Sequence, residues 1–91
     1  MTPETQQKAL HRLKIIKGQV SALEKQLEED RYCVDVLDLS RSIQNALRSL
    51  DGLVMEGHLR THVVEMMQGG EADRAVSELL RLYKSQGPIE A

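Results

Sequence analysis

The chain has no phenylalanine and no tryptophan, and only two tyrosines among its 91 residues. An aromatic platform for stacking nucleic-acid bases is excluded. The core has to be built from Leu, Ile, Val, Met and Ala, the composition of packed helices. Only two prolines and six glycines occur, mostly outside the periodic stretches. The single cysteine excludes an intrachain disulfide and makes a reducing cytosol the default compartment. No apolar run approaches the ~18 residues a membrane helix needs, and the N-terminus has no apolar core of a leader. A soluble, cytoplasmic protein is expected. The formal net charge of -2 by itself neither favours nor excludes a nucleic-acid partner. Glycine-rich phosphate loops, nucleophile elbows and logically spaced carboxylate pairs are all missing, so an enzyme is not expected. The length allows one domain, residues 1–91, with a core modest enough that oligomerisation is a common remedy.

What is present is helical period. Thr2-Pro3-Glu4 has the form of a helix start: a capping hydroxyl, proline at the first helical position and an acid in the first turn. Leu10, Leu13, Ile16, Val20, Leu23 and Leu27 then recur at three- and four-residue steps, which predicts a first helix over about residues 4–29. Gly18 inside it costs ~1 kcal/mol against alanine and raises the expectation of a close neighbour. The acidic run Glu28-Glu29-Asp30 reads as the exit. A second stripe of Val36, Leu37, Ile43, Leu47, Leu50, Leu53 and Val54, extended by Val63, Met66 and Met67, predicts a long helix over about 32–67. Such length without internal caps points to a coiled-coil-like partner. Gly69-Gly70 is a firm stop. Residues 71–84 form a short third helix, and Gly87-Pro88 begins a tail within 85–91. The fold class is all-α.

Cys33, His58 and His62 carry the most specific chemistry. The two histidines stand i, i+4 in GHLRTHV, one turn apart on one helix face. A thiolate with two imidazoles suits copper, zinc or nickel rather than magnesium or calcium. If one helix joins Cys33 to His58, they stand about 37 Å apart at ~1.5 Å per residue. The cysteine then has to come from a second subunit. An antiparallel pairing of two copies, crossing near Ala46 and Leu47, brings Cys33 of one beside His58 and His62 of the other and makes two equivalent sites. Separately, a lone cysteine is more often a small buried hydrophobe, and paired surface histidines are often merely solvated.

Basic residues form a second group. Lys8, Arg12, Lys14 and Lys17 decorate the first helix, with His11 among them and Gln19 just beyond. Arg41 and Arg48 share one face of the second. Each cluster alone reads as a solvated face, but together they make a surface able to follow phosphates. No helix-turn-helix or zinc-finger spacing is present, so DNA would meet a flat helical surface of an oligomer. The residues expected there are Arg12, Lys14, Lys17, Gln19, Arg41 and Arg48.

The stretches RLKIIKGQVSALEKQLEEDRYC, SIQNALRSLDGL and GHLRTH, spread over nearly the whole chain, resemble the copper-sensitive operon repressor (CsoR/RcnR-like) family of bacterial metal-responsive repressors. The resemblance implies antiparallel four-helix-bundle dimers assembled as a dimer of dimers. It implies repression by the metal-free protein and release of operator DNA on effector binding. The family's ligands match Cys33, His58 and His62, and its outer-shell tyrosine and glutamate match Tyr32 and Glu78. Many copper sensors carry cysteine where His62 stands. Nickel and cobalt sensors carry histidine there, but add an N-terminal histidine that residues 1–10 lack. Persulfide sensors need a second cysteine, and formaldehyde sensors an N-terminal proline, whereas Pro3 follows Thr2.

The expectation is therefore a Cu(I)-responsive repressor with operator DNA and further copies of itself as partners, no membrane and no small-molecule substrate. Ni(II), Co(II) or Zn(II) remain alternative effectors, and a metal-free helical scaffold is the rival reading. Three soft ligands suit Cu(I), whereas zinc wants a fourth. Glu78, supported by Tyr32, is the expected acceptor for the free nitrogen of His58.

Overall fold

A computed structural model describes residues 1–86. Among them are helices and turns only: α1 (Pro3–Glu28), α2 (Cys33–His58), a π-helical turn (Leu59–Val63), α3 (Val64–Gln68) and α4 (Ala72–Lys84). The expected tail at Gly87-Pro88 lies outside the described residues. The chain divides into two compact units, residues 1–57 and His58 onward.

The first unit is a helical hairpin. Thr2 caps α1, its hydroxyl accepting from the backbone N–H of Thr5 at 3.2 Å, and Pro3 is the first helical residue. Contacts between the helices fix an antiparallel register. Thr5 meets Gly57, where an added Cβ would stand 3.1 Å from the Thr5 Cγ2. Further along α1, Arg12 reaches Ser49 and Gln19 reaches Ser42. The fully packed apolar residues are Ile16 and Ile43. Leu23, Val36, Leu39, Leu50, Leu53 and Val54 are half-buried, so the hairpin mixes apolar and polar side chains; the side-chain oxygens of Gln19 and Gln26 are buried without a hydrogen-bond partner.

The apolar residues that the periodicity places on one stripe are only partly used. Leu10, Leu13, Val20 and Leu27 on α1, and Leu37 and Leu47 on α2, are all exposed in the single chain. Burying each such side chain is worth ~1.5–3 kcal/mol. At 39–62% exposure these side chains forgo part of that gain in the single chain. A Cβ added at Gly18 would meet nothing within 4 Å, so the close neighbour expected there is not supplied by the described residues.

The α1–α2 connection turns on one residue. Asp30 has φ 54; the N–H of Arg31 donates to the carbonyl of Gln26 at 2.9 Å and that of Asp30 to Leu27 at 3.2 Å. This is a Schellman motif with aspartate in the left-handed position that glycine usually holds. The same motif ends α3, with Gly70 at φ 80 and the Glu71 N–H donating to the Met66 carbonyl at 2.7 Å.

The expected long second helix is present as an uninterrupted helical run from Cys33 to Gln68. Gly52 and Gly57 do not break it. It is not a single α-helix, because Leu59–Val63 widens into π geometry. In the second unit α3 and α4 pack on each other, with Val63 and Ala75 buried.

Candidate metal centre

Cys33 is the first residue of α2, and its thiol is free and exposed. The tight turn at Asp30 leads directly into it. Tyr32, whose carbonyl accepts the first α2 bond from Val36 at 3.2 Å, is 71% exposed. Nothing in the hairpin covers either side chain. The donor is available to an external group.

The histidine pair belongs to the second unit. His58 ends α2 and His62 lies in the π turn. Their ring centroids are 5.5 Å apart with planes tilted by 38°. The i, i+4 spacing thus brings both imidazoles to one place, as required of two donors to one ion. Nε2 of His58 faces Oε1 of Glu78 at 3.5 Å. Glu78 comes from α4, so a separate element places a carboxylate beside this ring. Nδ1 of His62 is 4.0 Å from Glu65 Oε2.

Two neighbours were not anticipated from the sequence. Arg74 Nε stands 3.7 Å from Oε2 of Glu78, and its Nη1 stands 3.6 Å from Oε1 of Glu71. The spacing Glu71, Arg74, Glu78 is i, i+3, i+7, which marks one face of a helix. That spacing was the available signal. Among the described residues no cluster of three or more His, Cys, Asp or Glu is arranged to hold a metal within the chain.

The basic residues separate into two kinds. Lys14, Lys17, Arg41 and Arg48 are exposed. Arg12 is exposed but anchored, with Nη1 donating to Ser49 Oγ at 2.8 Å and to the Ser49 carbonyl at 3.2 Å. Gln19 is half-buried and turns to α2, its Nε2 donating to Ser42 Oγ at 3.5 Å. Seven-residue spacing from Arg12 through Gln19 to Gln26 places all three along the hairpin seam. No helix of the described residues is long and apolar enough to cross a membrane.

The chain is 36% identical over 74 residues to the copper-sensing transcriptional repressor CsoR of Bacillus subtilis (strain 168), covering 81% of this chain and 73% of that one. It is 32% identical over 76 residues to the copper-sensing transcriptional repressor CsoR of Mycobacterium tuberculosis (strain ATCC 25618 / H37Rv), covering 84% of this chain and 64% of that longer one. The crystal structure of the copper-sensing repressor CsoR with Cu(I) from Geobacillus thermodenitrificans NG80-2 is similar with a TM-score of 0.86 and 33% identity, covering 92% of this chain and 88% of that one. Residues 5–85 match the model of the metal-sensitive transcriptional repressors. The chain belongs to that family, whose members are repressors and not enzymes.

Proposed function

We propose that the protein is a copper-responsive repressor, which holds operator DNA when metal-free and releases it when Cu(I) is held by Cys33 of one protomer and His58 and His62 of another. The observation that carries this reading is the placement of the donors on α2. Cys33 is its first residue and His58 its last, in one 26-residue helix. At ~1.5 Å per residue the helix holds them about 37 Å apart. A second, antiparallel copy supplies the missing donor at each end, and two-fold symmetry makes both sites alike.

The donor set fits the ion. A thiolate and two imidazoles are soft to intermediate ligands, and three suffice for Cu(I). The relatives named above as copper-sensing, and the similar structure described with Cu(I), support the same choice. When bound, Cu(I) supplies a soft link between thiolate and imidazole donors. Glu78 faces Nε2 of His58, which leaves Nδ1 of that ring for the metal and fixes its tautomer. Tyr32, next to Cys33 in sequence, supports Glu78 as the acceptor for His58 once the two protomers pair.

Lys14, Lys17, Arg41 and Arg48 provide exposed cations for phosphates, while Arg12 and Gln19 sit where α1 is pinned to α2. Drawing the start of one α2 toward the end of another shifts these cations relative to the phosphate spacing. A coupling of ~1–3 kcal/mol per site is ordinary for such a response.

The test is anaerobic titration of the full-length protein on a labelled duplex carrying the sequence upstream of its own gene, read by anisotropy. Release by Cu(I) and not by Ni(II) supports the reading; release only by Ni(II), or by neither, sinks it. The shared site is tested by mixing C33A and H58A proteins. Each is expected to be unresponsive alone, and the refolded mixture to recover part of the response. No recovery would place the donors otherwise.

A further inference from the structure

Glu78 has two carboxylate oxygens, and each has its own cation-capable neighbour. Oε1 faces Nε2 of His58 at 3.5 Å. Oε2 faces Nε of Arg74 at 3.7 Å. The Arg74 guanidinium is in turn shared, with Nη1 3.6 Å from Glu71 Oε1. The result is a continuous line from Glu71 at the start of α4, through Arg74 and Glu78, to the ring of His58.

We infer that Arg74 is a positioning residue for the histidine pair: by holding one oxygen of Glu78, it keeps the other on Nε2 of His58. The inference rests on the reading of His58 as a metal ligand and adds to it what holds that ligand in place. A glutamate side chain on a helix surface samples several rotamers and loses freedom only when tied. Glu78 is two-thirds covered, with 32% of its side chain accessible. One contact to an imidazole at a long hydrogen-bond distance is a weak tether. The planar guanidinium reaches two carboxylates at once, which a lysine ammonium on a flexible stem does less well. Arg74 itself is 61% exposed, so its pairs add little to folding stability. That exposure is useful, because Arg74 can be replaced without opening the core. With Nε2 committed to Glu78, the imidazole is biased to the tautomer whose Nδ1 lone pair is free for a soft ion.

The experiment compares the full-length wild type, Arg74→Ala, Glu78→Ala and the double variant. One readout is Cu(I) affinity by competition with a colorimetric chelator. The other needs no metal: the tautomer of His58 in the metal-free, ¹⁵N-histidine-labelled protein, observed by NMR at a pH where the ring is neutral. Arg74→Ala is expected to weaken Cu(I) binding about threefold to tenfold, somewhat less than a direct outer partner of a ligand. It is also expected to mix the tautomers of His58. In the Glu78→Ala background the same change is expected to do neither. Wild-type affinity and tautomer in Arg74→Ala would overturn the inference, as would an equal loss with and without Glu78. If instead His58→Ala binds Cu(I) as tightly as wild type, the ligand reading fails. The metal-free tautomer comparison would still decide the role of Arg74.

Discussion

Nε2 of His58 and Oε1 of Glu78 lie 3.5 Å apart, joining the end of α2 to the middle of α4. Through this pair α4 stands against the ring of His58. Glu78→Ala removes the acceptor while leaving all three proposed ligands in place. Cu(I) affinity is expected to fall about tenfold or more, with DNA affinity of the metal-free protein unchanged. Chelator competition and anisotropy on the same preparation measure both. An unchanged Cu(I) affinity would detach Glu78 from the site.

Arg48 tests the proposed DNA surface. It is exposed on α2 on the same face as Arg41. Arg48→Ala is expected to weaken DNA binding at every salt concentration and to lower the slope of log affinity against log salt by about 0.9 for each phosphate that the variant no longer neutralises. Stoichiometric Cu(I) binding is expected to persist. A salt slope identical to wild type would remove Arg48 from the interface.

The two Schellman turns make opposite predictions. Asp30 occupies its left-handed position at φ 54, whereas Gly70 occupies the equivalent place at φ 80. A side chain in this conformation costs ~1–2 kcal/mol. Asp30→Gly is expected to stabilise the protein by up to about 1 kcal/mol after the flexibility of glycine in the unfolded chain is counted. Gly70→Ala is expected to destabilise it by about 1 kcal/mol or more. Urea midpoints at fixed protein concentration report both. Shifts of the same sign would contradict the assignment.

The exposed apolar residues predict assembly. Leu13 is 39% accessible, Val20 48% and Leu27 62%, along one flank of α1. Leu13→Glu is expected to push the protein toward monomers in sedimentation and, with them, to abolish tight Cu(I) binding. A monomeric variant that still binds Cu(I) at full strength would refute a shared site.

Much of this was legible in the sequence. Thr2 and Pro3 mark the start of α1, and Gly69-Gly70 the stop before α4, because capping and left-handed geometry demand particular residues. The spacing of His58 and His62 placed both rings on one face. The π turn from Leu59 to Val63 was not legible, since apolar residues recur through it without a visible change of step. Asp30 as a helix terminator was seen only as part of an acidic exit; its left-handed backbone is a choice that glycine would have advertised. In sequence Gln19 stands two residues from Lys17, beside the cations of α1. Its side chain turns to Ser42, a polar contact between the helices that a hydrophobic stripe does not reveal. The pairing of Arg74 with Glu78 depends on rotamers, which composition and period do not encode.

The placement of Cys33 at one end of α2 and His58 at the other has a consequence for how a cell would tune such a sensor. In the proposed shared arrangement, complete binding sites would count pairs of chains, not chains, and an isolated chain would carry halves of two sites. Metal affinity therefore becomes a function of protein abundance: as the repressor is diluted below its association threshold, its capacity to sense falls faster than its copy number. Expression level would set the sensitivity of the response as well as its amplitude.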